Sequence, residues 1–203
     1  MGREQRIQAP DAIYHITSNA VFGAALFRNR WDFETLLRLV EKIQKRTGWI
    51  IHGYCLMTTH YHLIVQTPEP NLAEGMQRLN HGYARYYNRR YRRRGALFMA
   101  RYYSGLIESD THFLSTFRYI TLNPCEAGLC DHPADWPWSS FAGTIGAAPL
   151  APFVTPDTLL AYFGDDRNEA RRRLAEFVEA EWDKPRRNIR SAVSPRKRTV
   201  SAA

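Results

Sequence analysis

The sequence predicts an α+β sandwich of the ferredoxin-like type, with the order β-α-β-β-α-β and extra C-terminal helices. Three observations support this fold class. Segments with the two-residue alternation of strands are interspersed with segments that have the three-to-four-residue spacing of amphipathic helices. Two neighbouring strand segments are separated by only two residues, which is the length of a hairpin turn. The 203 residues, 44% of them hydrophobic, can bury one core of ordinary size.

The first four elements follow from local patterns. Alternation and β-forming residues define the strands, and apolar side chains three or four residues apart define the helix. The predicted elements are a strand AIYHIT (12–17), a helix WDFETLLRLVEKIQKRT (31–47), a strand WIIHGYCLM (49–57) and a strand HYHLIVQT (60–67). Gly48 is expected to end the helix. His15 is expected to be a satisfied or edge-strand histidine and not a ligand.

The next three elements complete the predicted core. Asn71 is suited to cap a long helix that ends near Arg92. A loop and a fourth strand follow within 97–107. A further helix is predicted over 111–122, and Asn123-Pro124 is expected to end it because proline disfavours the helical conformation of the residue before it.

Composition divides the chain into three regions. The predicted core domain occupies residues 1–145, and a helical extension occupies 146–182. Residues 183–203 carry seven Lys or Arg and a single Asp, with few apolar residues, and they predict a basic, disordered tail.

Cysteine usage and apolar runs favour a cytoplasmic protein. The three cysteines form no CxxC pair, as is usual in a reducing compartment. The N-terminus has no apolar signal-peptide core, and no apolar run approaches the roughly 20 residues that span a bilayer. We therefore expect a cytoplasmic protein that does not associate with membranes.

The basic residues are concentrated in one stretch of the chain. The net charge is +8, and no acidic residue occurs between Gly75 and Ile107. Tyrosines are interspersed among the arginines in this stretch. Tyrosine rings can stack on unpaired bases, and arginines can neutralise phosphates. This pattern predicts a nucleic-acid-binding surface made by Arg85, Arg89, Arg90, Arg92, Arg93, Arg94 and Arg101.

Two histidines stand one residue apart in MTTHYHLIVQ (57–66). Successive strand side chains point to opposite faces, so His60 and His62 share a face while Tyr61 lies on the other. Two imidazoles placed in this way can bind one divalent cation. Taken alone, the pattern is also compatible with a partly exposed strand that carries two histidines.

A second polar pair lies on the last predicted helix of the core. Tyr119 and Asn123 are four residues apart and therefore share a helix face. The Asn123 carbonyl oxygen is a plausible ligand for a hard cation, and the Tyr119 phenol can act as a covalent nucleophile once activated. A helix end at which Asn123 caps and Tyr119 packs would give the same pattern.

Four motifs together make the chain resemble a known family. They occur in this order: H-Y-H (60–62), G-A-L-F-M-A-R-Y (95–102), R-Y-I-T-L-N-P (118–124) and D-W-P-W-S-S-F (135–141). The succession resembles the REP-associated single-tyrosine transposases, which belong to the HUH nucleases. The resemblance runs from about Tyr14 to Phe141.

The resemblance implies a fold of the HUH nuclease type and a role for each motif residue. His60, His62 and Asn123 would bind the metal, which would be Mg²⁺ or Mn²⁺, and Tyr119 would be the nucleophile. The implied enzyme is a metal-dependent DNA transposase and strand-transferase. It would cleave and rejoin single-stranded or hairpin DNA of palindromic repeats through a covalent 5′-phosphotyrosine. The chain departs from the family at Met57-Thr58-Thr59, where Met-Pro-Asn is usual, and at 18–21, where an Arg-Gly-Asn-like stretch is usual.

Two other functions are compatible with the same pattern. One is a catalytically silent nucleic-acid-binding regulator with the same fold. The other is a rolling-circle replication initiator or relaxase, which uses the same chemistry. The chain has neither a helicase motif nor an evident second catalytic tyrosine, and this argues against an initiator. A monomer and a homodimer, with Tyr119 acting in its own subunit or in a neighbour, are equally compatible with the sequence.

Overall fold

The computed structural model describes residues 8–21 and 24–182. The strands and helices occur in the predicted order. The core elements are β1 (Ala12–Asn19), α1 (Arg30–Thr47), β2 (Ile50–Leu56), β3 (His60–Thr67), α2 (Leu72–Arg90), β4 (Tyr103–Ile107) and α3 (Asp110–Glu126). The helices after them are α4 (Phe141–Thr144), α5 (Asp157–Leu160) and α6 (Arg167–Trp182). The predicted tail at 183–203 lies outside the described residues.

The four strands form one antiparallel sheet in the order β2-β3-β1-β4. This confirms the ferredoxin-like α+β prediction. Strand β1 is central, so the expectation that His15 could lie on an edge strand is wrong. Thr17 of β1 is paired with His62 on one side and with Tyr103 on the other. Side chains from three strands are therefore adjacent on one face of the sheet.

Helices cover both faces of the sheet. Helices α1 and α2 pack on one face, in a core with Tyr14, Ile16 and Tyr61. Helices α3 and α6 pack on the other face, in a core that includes Ile64 and Ile107. Because strand side chains alternate between faces, His15, Thr17, His60 and His62 belong to the α3 face.

Helix α1 begins and ends with strong local signals. The Asn29 side chain accepts a hydrogen bond from Trp31 N at 3.0 Å, and Asp32 completes a capping box with its backbone partners. Gly48 ends the helix in the left-handed conformation, with φ of 71°, as predicted.

Asn71 precedes α2 but does not cap it with its side chain, contrary to the expectation. Its Oδ1 accepts a hydrogen bond from Trp49 Nε1 at 2.7 Å, and its Nδ2 donates to the Thr47 carbonyl at 2.9 Å. These tertiary partners compete with the cap for the same polar atoms. Asn71 therefore links the start of α2 to the end of α1 by hydrogen bonds.

Helix α3 extends beyond its predicted end. Ser109 caps it, and Pro124 lies inside the helix and does not terminate it. A proline near the C-terminus of a helix removes a single N–H donor, and the remaining last-turn donors still find partners. One of these is Ala127 N, which donates to the Asn123 carbonyl at 2.9 Å. Asn123 is consequently part of the helix and lies one turn after Tyr119.

The C-terminal helices complete the layer that contains α3. Leu174 and Val178 of α6 are fully buried in the same core as Phe113 and Phe117 of α3. Arg118 lies over the Phe177 ring, 4.5 Å from its centroid. Helix α6 therefore supports the position of α3. Among the described residues, no helix has the length and apolarity needed to cross a membrane.

Candidate active site

His60 and His62 project from β3 toward α3, while Tyr61 between them is buried in the opposite core. The two imidazole rings are perpendicular, with centroids 4.9 Å apart. His62 is almost completely buried, with 3% of its surface exposed, and His60 is half-buried. The structure thus brings the predicted pair together on one face.

Burial lowers the pKa of both histidines. It is the main cause that lowers the pKa of His62 to about 3, and the neighbouring His60 and His15 lower it further. Burial also lowers the pKa of His60. An uncharged imidazole has a free lone pair, and it is in this form that histidine binds metals.

Helix α3 places Tyr119 above the same face. Its ring meets the His62 ring at an interplanar angle of 78°, with centroids 5.8 Å apart. Tyr119 is 49% exposed, so a substrate can reach the phenol from solvent. The buried side of the helix, which includes Phe117 and Ile120, holds it against the sheet. The site therefore combines a buried imidazole with an accessible phenol.

Asn123 lies one turn beyond Tyr119 on the same helix. Its Nδ2 donates a hydrogen bond to the Tyr119 carbonyl at 3.2 Å. This bond uses the amide nitrogen, so it does not engage Oδ1, the atom suited to a hard cation.

Two residues of β1 belong to the site and are absent from the sequence prediction. His15 Nε2 and Thr17 Oγ1 lie 3.0 Å and 3.1 Å from His62 Nδ1. The His15 ring is stacked on the His62 ring and lies 6.0 Å from the Tyr119 ring, centroid to centroid. Burial is the main cause that lowers the pKa of His15 to about 4. In the sequence, His15 and Thr17 alternate with buried residues in the same way as His60 and His62. This pattern places all four side chains on one face of the sheet only when β1 is known to pair with β3.

A second tyrosine lies at the rim of the site. Tyr103, at the start of β4, is 62% exposed, and its ring approaches His15 edge to face with centroids 6.4 Å apart. A Cβ atom on Gly105 would come within 2.7 Å of the Tyr103 hydroxyl. The glycine therefore leaves the space in which this phenol lies against the strand.

This geometry can be compared with that of known proteins. A family model described as Transposase IS200 like matches residues 9–123, which include β1 to β4 and the site residues of α3. This match covers more than half of the chain. The chain belongs to the IS200-like transposase family.

The chain is similar in sequence to one known protein and in fold to another. A Haemophilus influenzae protein named as a REP-associated tyrosine transposase is 30% identical over 104 residues, which cover 46% of this chain and 59% of that protein. The chain thus matches less than two thirds of that relative's length. The fold is similar to that of a REP-associated tyrosine transposase bound to a REP hairpin, with a TM-score of 0.63 and 18% identity. That similarity covers 76% of this chain and 91% of the other.

The donor atoms at this site fit a divalent cation. His62 Nε2 is buried and has no hydrogen-bond partner in the structure. Leaving such an atom unpaired costs roughly 1–3 kcal/mol, which ligand binding would offset. Within residues 8–21 and 24–182, no three His, Cys, Asp or Glu side chains are grouped so as to hold a metal. Two imidazoles and an amide oxygen are the candidate ligands.

The seven arginines predicted to bind DNA are distributed over three places. One group lies on α2 and lines a groove of about 650 Å³ with Gly82 and Tyr86; it comprises Arg85, Arg89 and Arg90. Arg92, Arg93 and Arg94 follow in the turn after α2, and Arg101 lines a separate groove of about 490 Å³ beside Asn80 and Tyr102. Helix α2 and the Tyr119 helix cover opposite faces of the sheet.

Two of these arginines also have partners within the protein. Arg90 Nε lies 3.7 Å from an oxygen of Asp32, which is fully buried. Arg93 lies over the Tyr87 ring, 5.8 Å from its centroid. The other five members of the set are exposed and available to meet a polyanion: Arg85, Arg89, Arg92, Arg94 and Arg101.

Proposed function

We propose that this IS200-like transposase is a metal-dependent strand-transferase that cleaves and rejoins single-stranded or hairpin DNA through a covalent 5′-phosphotyrosine. One observation carries the proposal: the buried His62 imidazole and the exposed Tyr119 phenol lie side by side, with ring centroids 5.8 Å apart. An accessible nucleophile beside a candidate cation site is the arrangement that phosphodiester transfer requires.

In the proposed reaction, the Tyr119 oxygen attacks the scissile phosphorus. A phosphorus–Tyr119 oxygen bond forms and the bond from phosphorus to the 3′ oxygen breaks. The phenol proton leaves to solvent, which reaches this half-exposed side chain, and the departing 3′ oxygen takes up a proton. The covalent bond retains the energy of the original phosphodiester, so attack by another 3′-hydroxyl can rejoin a strand without a nucleotide cofactor.

In this proposal His60, His62 and Asn123 hold the divalent cation. When bound, Mg²⁺ or Mn²⁺ would polarise the scissile phosphate and favour the deprotonated phenol. The histidines contribute neutral nitrogens because burial lowers the pKa of both rings. Helix α3 contributes Asn123 at a fixed distance from the nucleophile, one helical turn away.

The proposed substrate is DNA with a single-stranded or hairpin segment, as in palindromic repeats. A structure with a similar fold is described as bound to a REP hairpin. The present protein has exposed arginines on α2, in the turn after it and before β4. These side chains would neutralise backbone phosphates, and the exposed Tyr103 ring would offer a stacking face to an unpaired base. The protein would act in the cytoplasm, as a monomer or a homodimer.

The proposal is tested by looking for the covalent intermediate. The full-length protein is incubated with labelled hairpin and single-stranded DNA and Mn²⁺, and a denaturation-resistant protein–DNA adduct is sought. We expect an adduct with the wild type and its loss with Tyr119→Phe, while DNA binding is retained. We also expect loss of the adduct on chelation and its return when Mn²⁺ is restored.

Tyr103→Phe is the matched control, since Tyr103 is also an exposed phenol and its ring contacts His15. It should form the adduct at the wild-type level. An adduct that persists in Tyr119→Phe and disappears in Tyr103→Phe would assign the nucleophile to Tyr103. Binding without an adduct across many substrates would instead favour a catalytically silent regulator. Adducts at both tyrosines would favour a replication initiator.

A further inference from the structure

Two side chains of β1 contact the His62 ring. Thr17 is the cross-strand partner of His62, and His15 lies two residues earlier on the same face. Thr17 Oγ1 and His15 Nε2 both approach a single atom of the ring, Nδ1, at 3.1 Å and 3.0 Å. The opposite nitrogen, Nε2, is buried without a partner.

We infer that Thr17 and His15 are positioning residues that hold His62 Nδ1 as a hydrogen-bond donor and thereby present Nε2 as the cation-binding atom. The inference rests on the proposed function, because it assigns these residues to the same metal site. A neutral imidazole has one N–H and one lone pair, so a ring that donates from Nδ1 has its lone pair on Nε2.

The hydrogen-bonding capacities of the three side chains are consistent with this assignment. A hydroxyl oxygen and an unprotonated imidazole nitrogen can both accept a hydrogen bond from the His62 Nδ1–H. Thr17 Oγ1 also lies 3.5 Å from His15 Nε2, so its own hydrogen can point toward that nitrogen. The polar atoms that surround Nδ1 then have partners, whereas Nε2 of His62 is buried without one.

His60 has the same arrangement in a more exposed setting. Thr59 Oγ1 lies 3.2 Å from His60 Nδ1, which leaves Nε2 as the atom directed away from this contact. Thr59 is exposed, so water competes with its hydrogen bond and weakens its hold. The half-buried pair on β1 is therefore the stronger constraint. Partners of this kind typically change metal affinity by about 10–100-fold when they are removed.

The first test determines the tautomer of His62 directly. Long-range ¹H–¹⁵N NMR correlations of the metal-free, full-length protein distinguish a ring protonated at Nδ1 from one protonated at Nε2. We expect the Nδ1–H form in the wild type and a mixture of both forms in Thr17→Val combined with His15→Phe. A wild-type ring protonated at Nε2 would overturn the inference.

The second test measures Mn²⁺ affinity without DNA, by electron paramagnetic resonance of the free ion. We expect the double variant to bind about 10–100-fold more weakly than the wild type. Thr17→Ser, which keeps the hydroxyl, should stay within a few-fold of the wild type. Ser18→Ala is the control, because Ser18 lies on the same strand but bonds to Asn80 on the other side of the sheet. Wild-type affinity in the double variant would overturn the inference.

The two tests separate the inference from the proposed function. If the wild type binds no Mn²⁺, the metal-dependent function fails, and the tautomer measurement alone decides the role of the β1 residues. If circular dichroism shows that the double variant does not fold, Thr17→Val replaces it. This single variant should shift the tautomer population and weaken Mn²⁺ binding, and an unchanged ring and affinity would contradict the inference.

Discussion

The His62 imidazole and the Tyr119 ring meet edge to face with centroids 5.8 Å apart, although one comes from a strand and the other from a helix three elements later. Their approach is set by core packing. Ile64, two residues after His62, and Phe117, two residues before Tyr119, are fully buried in the same core. The apolar contacts of one face thus determine the separation of the polar groups above them.

Asn123 can be tested as the third ligand through its side-chain oxygen. Asn123→Leu removes the oxygen, whereas Asn123→Asp keeps it and adds a negative charge. We expect the leucine variant to lower Mn²⁺ affinity and adduct yield by about 10-fold or more, and the aspartate variant to retain Mn²⁺ binding. Calorimetry and the adduct assay measure the two effects. Ser115→Ala, on the exposed part of α3, is the control, and wild-type behaviour of Asn123→Leu would exclude Asn123 from the ligand set.

Local patterns in the sequence predict much of the fold and of the site. The predicted bounds of β3, residues 60–67, are correct, and so is the order of the first seven elements. The predicted end of α3, at Leu122, is wrong, and the helix continues to Glu126. A proline in the last turn removes only one hydrogen-bond donor and does not end the helix.

Tertiary relationships account for what the sequence does not predict. His15 and Thr17 join the site only because β1 is hydrogen-bonded to β3, and no local pattern specifies that register. In the same way, the arginines are close in sequence, yet Arg89 and Arg101 line different grooves. Two arginines that are close in sequence can therefore line different grooves, and the sequence alone does not indicate which.

The exposed arginines should contribute to DNA affinity in a salt-dependent manner. Arg89→Gln and Arg101→Gln each remove one cation from a different groove. If each arginine contacts a phosphate, each variant should bind hairpin DNA more weakly, and the slope of log affinity against log salt should decrease by about 1. Fluorescence anisotropy at several salt concentrations measures both quantities.

Arg172→Gln provides the control for the arginine variants. Arg172 is exposed on α6 but is already paired with Glu169 and Glu176. Its replacement should leave the salt dependence of DNA binding unchanged. A groove whose arginine variant behaves like Arg172→Gln does not contact the DNA backbone.

Tyr103 should act as a stacking surface for a base beside the cleaved phosphate. Base–aromatic stacking contributes roughly 1–3 kcal/mol, so Tyr103→Ala should weaken binding of a single-stranded oligonucleotide about 5-fold or more, while Tyr103→Phe retains it. Fluorescence quenching of 2-aminopurine next to the cleavage site measures the contact. Trp31→Ala is the matched control, since Trp31 is 59% exposed on α1, on the opposite layer. Equal quenching in wild type and Tyr103→Ala would exclude stacking.

His52 makes stability depend on pH. It is fully buried, its Nε2 lies 3.1 Å from Gln66 Oε1, and burial is the main cause that lowers its pKa below the ordinary value of 6.5. In the unfolded chain the ring regains that ordinary pKa. Below about pH 6.5 the unfolded state therefore binds a proton that the folded state does not, and the free energy of unfolding falls as the pH falls.

The loss expected from this one residue is at most roughly 1.4 kcal/mol per pH unit. It begins near pH 6.5 and continues down to the lowered pKa of the folded state, so the contribution is fully present at neutral pH. His52→Gln cannot take up the proton and keeps a polar group near Gln66, so its stability should fall less steeply between about pH 6.5 and pH 5. Urea denaturation at each pH gives the two slopes. Because every other histidine is the same in both proteins, equal slopes would mean that folding does not change the proton affinity of His52.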